Sequence, residues 1–156
     1  VVVLMGGMAA IAAPGWIQFH DGRRLGAAQQ QIYQAIRQAQ HEAKVHHLNW
    51  QVSFQNVDGR GQMAIHPSTM LPVDAHWRTL PQGVWIDTDE TTLREDEGAY
   101  EVEFNSKGHV NGQLGRVTVK ASDRHQMRRC VFVSTLIGGL REAEDNPTPR
   151  RGRFCY

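Results

Sequence analysis

The sequence lacks the short motifs that metal-binding and hydrolytic enzymes use. It has two cysteines but no Cys-x-x-Cys, and eight histidines but no His-Glu-x-x-His. His46 and His47 are adjacent and His41 lies five residues earlier, so a helix would point the three rings in different directions. The acidic residues 87–98 begin as Asp-x-Asp but have no glycine at the sixth position of a calcium loop. We therefore predict no catalytic residue, no metal and no cofactor, and we interpret 87–98 as a solvated loop.

The sequence also lacks an excess of either charge. Its 17 Lys and Arg residues balance 16 Asp and Glu, which leaves a formal net charge of +1. The charge of the whole chain therefore predicts binding neither to nucleic acid nor to a membrane surface, and any electrostatic function must come from a local patch. With 156 residues, 40% of them hydrophobic, the chain is long enough for one folded domain.

Charge is absent altogether from the first 19 residues, where Gln18 is the one clearly polar side chain. Such a segment cannot lie exposed on a monomer, so it must lie in a membrane, in a partner or among copies of itself. As a helix it would span about 28 Å, just short of a hydrocarbon core, and it has neither the basic leader nor the cleavage site of a signal peptide. We call residues 1–22 the apolar stem. Its candidate contact residues are Val1, Val2, Val3, Leu4, Met5, Gly6, Gly7, Met8, Ala9, Ala10, Ile11 and Pro14.

A helical period follows the stem. Apolar residues recur at spacings of three and four from residue 17 to about 45, which predicts a helix with one apolar stripe. The stripe consists of Leu25, Ala28, Ile32, Ile36, Ala39 and Ala43. The polar face opposite it consists of Arg23, Arg24, Gln29, Gln30, Gln34, Arg37, Gln38, Glu42 and Lys44. Stem and helix together predict one long helix with a break near Pro14 and Gly15, because proline removes a backbone donor.

Short alternating segments in the rest of the chain predict an antiparallel sheet. In residues 48–55, Trp50, Val52 and Phe54 face one way, and a turn at 58–61 leads into a second strand at 62–66. Further strands are predicted at 84–86, 100–104, 116–121 and 129–135, with loops at 67–82, 87–98 and 105–115 and a polar ending at 141–156. One long helix packed on an antiparallel sheet is an α+β roll, in which residues 23–156 form the head.

The two cysteines, Cys130 and Cys155, are the one pair that could form a bridge within the chain. Their bridge would attach the end of the chain to a strand and would stabilise the fold by roughly 3 to 4 kcal/mol. We predict this disulfide if the domain is exported, because disulfides persist outside the cytoplasm. The alternative is two unrelated thiols, one buried and one on a loose tail.

The order of these segments resembles the type IV pilin superfamily, in particular the GspH/FimT-type pilins and pseudopilins. Residues 1–14 resemble the later part of that family's N-terminal helix, and LGAAQQQIYQAIRQAQHEAKV resembles its continuation. VEFNSKG and RCVFVSTLIGGLR resemble two strand elements of the H-type head, although Gly139 stands where an arginine often occurs. Matching Pro14 to the helix proline of the family implies roughly eight further residues before Val1, including a glutamate that pairs with a neighbouring subunit.

The resemblance implies a structural subunit of an extracellular helical filament. Its partners would be copies of itself and the pilus assembly machinery, and the stem would hold it in the inner membrane before assembly. A plain membrane anchor for a solitary periplasmic domain is the alternative. The resemblance leaves open a major pilin, a minor pilin or a secretion pseudopilin, and a role in adhesion, motility, DNA uptake or secretion.

Some members of the resembled family capture DNA through basic residues near the C terminus. In this chain Arg150, Arg151 and Arg153 fall in a short segment without acids, although Glu142, Glu144 and Asp145 lie just upstream. DNA binding through these arginines is therefore one hypothesis, and it predicts sensitivity to salt. A solvated tail, or an ionic contact between subunits to the acidic residues 87–97, is the alternative.

Overall fold

A computed structural model describes the backbone of residues 2–121 and 127–156 and the side chains of residues 15–121 and 127–156. In this part of the chain one helix, α1 (Val2–His46), precedes two five-stranded antiparallel sheets. The first has the order β3-β2-β1-β6-β5 and the second the order β10-β9-β8-β7-β4. The strands are β1 (Trp50–Val57), β2 (Arg60–Pro67), β3 (Arg78–Thr79), β4 (Trp85–Ile86), β5 (Arg94–Asp96), β6 (Ala99–Phe104), β7 (Gly115–Lys120), β8 (Arg128–Val133), β9 (Leu140–Arg150) and β10 (Arg153–Cys155). The sequence predicts one sheet, whereas the structure has two, and α1 packs against both.

Helix α1 continues through Pro14 and Gly15, so the predicted break is wrong. Proline removes one backbone donor, but the hydrogen bonds on either side of it can keep the chain helical. The predicted contact residues of the stem, Val1 to Pro14, have their side chains outside the described part of the chain. Among the described residues, no helix is long and apolar enough to cross a membrane.

The predicted apolar stripe of α1 is confirmed as the side of the helix that packs on the sheets. Its six members are at most 1% exposed. They meet inward-facing residues of both sheets, among them Val52, Phe54, Val102, Phe104, Val117, Val119, Val131 and Val133. The helix therefore forms one layer and the two sheets cover its stripe in common.

Two glutamines of α1 attach it to the second sheet and its connections. Gln29, predicted on the polar face, is 8% exposed, and its Nε2 donates to the carbonyls of Cys130 and Ala143 at 2.9 and 3.0 Å. Gln40 donates from Nε2 to the carbonyls of Gly108 and Ile137 at 2.7 and 3.1 Å. The prediction for Gln29 is wrong because a glutamine can be buried where it satisfies backbone acceptors.

The outer face of the first sheet is also covered. Ser53 and His66 are at most 1% exposed, and Ser53 Oγ lies 3.0 Å from His66 Nε2. Next to them, Gln51 donates to Glu101 at 2.9 Å. Residues 68–72 border a cleft together with Gln51 and Glu101 of this polar row. Alternation along β1 is thus confirmed, but both faces of the strand are buried.

The end of the chain, predicted as a polar ending at 141–156, is mostly exposed, but it forms a hairpin that the sequence did not indicate. Strands β9 and β10 pair antiparallel, with Arg153 opposite Arg150. Between them Arg151 and Gly152 have φ angles of 52° and 75°, which is the backbone of a two-residue hairpin turn. The predicted disulfide between Cys130 and Cys155 is present and ties β10 to β8.

Candidate functional site: an arginine pocket

Three side chains lie next to one another on the outer face of the second sheet. Arg116 of β7 is paired in register with Phe132 of β8, which is paired with Arg141 of β9. Directly opposed side chains of neighbouring strands are within contact distance. The guanidinium carbons of Arg116 and Arg141 lie 5.6 and 4.2 Å from the centre of the Phe132 ring. The ring thus orients both cations through its electron-rich face.

The C-terminal hairpin brings further arginines to the same place. Its turn carries Arg151, and the strands beside it carry Arg150 and Arg153. The disulfide holds β10 in position, and Tyr156 donates from its hydroxyl to the carbonyl of Thr148 at 3.1 Å. The result is a concave site of about 350 Å³, which we call the arginine pocket. Its lining consists of Arg116, Phe132, Arg141, Arg150, Arg151, Arg153, Cys155 and Tyr156.

One arginine of the pocket, Arg116, is neutralised by a buried carboxylate, that of Glu90. Arg116 donates to Glu90 at 3.1 Å, and both side chains are at least nine-tenths buried. Burial lowers the pKa of Arg116 from its ordinary value, Glu90 raises it, and the positive charge of Arg153 lowers it further. Arg153 itself donates to the backbone carbonyl of Asp89. These two arginines therefore have internal partners.

The other three guanidinium groups remain open. Among the described residues, no carboxylate lies within 4.0 Å of Arg141, Arg150 or Arg151. No acidic side chain lines the pocket either. Guanidinium groups bind phosphate or carboxylate oxygens in pairs, so the chemistry of the pocket suits an anionic ligand. No group in it is arranged as a nucleophile beside a base.

The prediction of a solvated acidic loop at 87–98 is wrong for its first half. Asp87 is 1% exposed and binds Arg128 at 2.7 Å and Lys120 at 3.8 Å, while Glu90 binds Arg116. These carboxylates are buried because β7 and β8 supply cations to them. In the second half, Glu95, Asp96 and Glu97 are exposed at the turn between β5 and β6, and we call these three residues the acidic turn.

Of the predicted arginines, the structure brings Arg150, Arg151 and Arg153 together in one pocket. It adds Arg116 and Arg141, which the sequence analysis missed. Within the described residues, no cluster of His, Cys, Asp and Glu side chains could hold a metal ion. The role of the pocket itself stays a prediction.

No protein-family model and no curated protein sequence matches the chain. Several solved structures share its fold. The minor pseudopilin EpsH from the type 2 secretion system of Vibrio cholerae is similar with a TM-score of 0.55 and 17% identity, over 78% of this chain and 97% of that one. The type IV minor pilin FimU of Pseudomonas aeruginosa is similar with a TM-score of 0.54 and 12% identity, over 79% of this chain and 90% of that one. The predicted α+β fold, a long N-terminal helix on antiparallel strands, is thereby confirmed as pilin-like.

Proposed function

We propose that the chain is a type IV pilin or pseudopilin and that copies of it assemble into a helical filament through the apolar stem. The observation that carries this proposal is the part of α1 that its own head leaves uncovered. Burial of α1 begins at Asp21 and its buried apolar stripe at Leu25, whereas Trp16, Ile17 and Phe19 are 67, 54 and 59% exposed. Exposed apolar surface on this scale requires a lipid or protein partner.

Assembly would exchange lipid around the stem for neighbouring stems. Before assembly, the stem would sit in the inner membrane, and the pilus machinery would then move the subunit into an extracellular filament. The small residues of the stem, such as Gly6, Gly7, Ala9 and Ala10, allow helices to approach closely. A contact between two different surfaces of successive copies gives an open helix when the rotation between copies does not close into a ring.

Electron microscopy of the purified full chain tests this proposal, with one charge introduced on the stem. We expect wild-type filaments and none for Ile17→Glu, because the new carboxylate would be buried among apolar stems. Val73→Glu is the matched control, since Val73 is 83% exposed on the head and the chemical change is the same. Both variants should retain the circular dichroism of the head. A wild-type chain that stays monodisperse without detergent, or an Ile17→Glu chain that forms normal filaments, would contradict the proposal.

DNA binding at the arginine pocket is a second candidate function, and the three open guanidinium groups favour it. Replacement of Arg141, Arg150 and Arg151 by Ala should weaken binding of a short duplex and flatten the dependence of log K on log salt by about 2.7, which corresponds to three phosphate contacts. Fluorescence anisotropy measures both effects. A control with the same loss of charge replaces Arg23, Arg78 and Lys107, which lie outside the pocket. Equal losses in the two triple variants would mean that DNA is held by general charge alone.

A further inference from the structure

The acidic turn lies at the edge of the first sheet, where β5 is the outermost strand. Glu97 and Gly98 have φ angles of 49° and 83°, the backbone of a two-residue hairpin turn between β5 and β6. Asp96 shares Arg94 with Glu101, and the Arg94 and Asp96 side chains are more than half exposed. Glu95 and Glu97 have no ion pair among the described residues. The turn therefore presents carboxylates that the chain itself does not neutralise.

The arginine pocket and the acidic turn are complementary in charge. The pocket offers three open guanidinium groups, on Arg141, Arg150 and Arg151, and the turn offers the unpaired carboxylates of Glu95 and Glu97 beside Asp96, which is paired with Arg94. The pocket is an open depression of about 350 Å³, so charge rather than shape is the property that matches it to the turn.

The two sites do not meet within one copy. Glu97 borders the clefts beside residues 68–77, on the outer side of the first sheet, whereas the pocket lies on the outer face of the second. No ion pair joins them among the described residues. A contact between the pocket of one copy and the turn of another joins two different surfaces, so it can repeat along a chain of subunits.

We propose that the acidic turn of one copy binds in the arginine pocket of the next. This inference rests on the proposed function, because it concerns neighbouring subunits of one assembly. The contact sets the position of one head against another, and the stem supplies the apolar association. A single exposed ion pair contributes little, but several pairs repeated at every subunit add up and are weakened by salt.

Disulfide cross-linking of the full chain in detergent micelles tests the contact without requiring filaments. One preparation carries Arg151→Cys and the other Glu97→Cys, and mild oxidation follows mixing. The native cysteines do not interfere, because both are fully buried in their own disulfide. The matched control is Asp58→Cys, an exposed acidic residue with the same turn backbone, φ 51° followed by a glycine at 72°.

We expect mixed dimers of Arg151→Cys with Glu97→Cys to form about five times more than with Asp58→Cys at low salt, and this excess to disappear near 0.5 M salt. Equal yields for the two partners would overturn the proposal. A pocket-reversed variant (Arg141, Arg150 and Arg151 to Glu) should self-associate weakly. A turn-reversed variant (Glu95, Asp96 and Glu97 to Lys) should do the same, and mixing the two should restore association, because opposite charges again face each other.

Electron microscopy of the same samples separates this contact from the filament proposal. Filaments with equal cross-linking in both pairs would overturn the contact and leave the filament in place. Specific cross-linking without filaments at any salt would support the contact and count against the filament. If the pocket-reversed variant loses DNA binding while cross-linking equals the Asp58→Cys control, the pocket is a nucleic-acid site and the contact is overturned.

Discussion

Removal of the disulfide should destabilise the head by a predictable amount. Cys130 and Cys155 are 25 residues apart in sequence. The entropy of closing such a loop in the unfolded chain corresponds to about 3.5 kcal/mol at 25 °C. For a domain of this size, that loss lowers the melting temperature by roughly 7 to 14 °C. The double variant Cys130→Ala, Cys155→Ala should therefore melt that much below the wild type.

The measurement follows the near-ultraviolet circular dichroism of the full chain in mild detergent on heating. A useful comparison is the wild type after reduction, which should melt close to the double variant because both lack the same constraint. Without the disulfide, β10 also loses its attachment to β8. We therefore expect Arg153 to move away from the carbonyl of Asp89. A loss of less than about 1 kcal/mol would mean that residues 130 and 155 stay close in the unfolded chain without the disulfide, through residual pairing of β9 and β10. That result would refute the loop-closure argument.

Three further changes have expected signs. Burial raises the pKa of Glu101 in the folded chain above its ordinary 4.5. The protonated side chain therefore stabilises the fold below pH 4.5, and this contribution is lost as the pH rises through the folded pKa. Glu101→Gln should resist urea better than the wild type at pH 7 and equally well at pH 4, and a difference independent of pH would contradict this. Gln40→Ala leaves two carbonyls without a donor and should lower the free energy of unfolding by about 1 to 3 kcal/mol, measured in urea, and no loss would mean that water replaces the amide. Gly26→Ala places its methyl group in open space on a helix and should raise the melting temperature. Gly115→Ala should lower it, because its Cβ would lie 2.6 Å from the Thr92 carbonyl oxygen. Shifts of equal sign would show that the space around the glycine does not determine the effect of the substitution.

The elements that sequence predicted well are those with a strong local period. The stripe of α1 repeats every three or four residues over several turns, and this signal outweighs any single residue. Strand β1 alternates over its length, and Asp58-Gly59 is a favoured pair for a two-residue hairpin turn. Both were predicted within a few residues of their observed bounds.

Two hairpins were missed because their turns use less typical residues. Glu97-Gly98 and Arg151-Gly152 adopt the same backbone as Asp58-Gly59, although Glu and Arg tolerate a positive φ less readily than Asp. Local sequence therefore indicated a charged loop and a polar tail. The pairing of β5 with β6 and of β9 with β10 offsets the cost of the positive φ in each turn.

The arginine pocket was only half predictable for a different reason. Arg150, Arg151 and Arg153 are neighbours in sequence, so composition alone indicated a basic site. Arg116 and Arg141 join it through the pairing of β7, β8 and β9, and a single sequence does not give that register. Burial of Asp87 and Glu90 depends on the same pairing.

The outermost strands of both sheets are very short. In the described part of the chain, β3 and β4 have two residues each, and β5 and β10 have three. Long unpaired edges invite other chains to add a strand and begin amyloid-like growth. Short margins of this kind offer almost no template. In the proposed filament, copies would thereby be kept from pairing through their backbones, so that side chains decide how they meet.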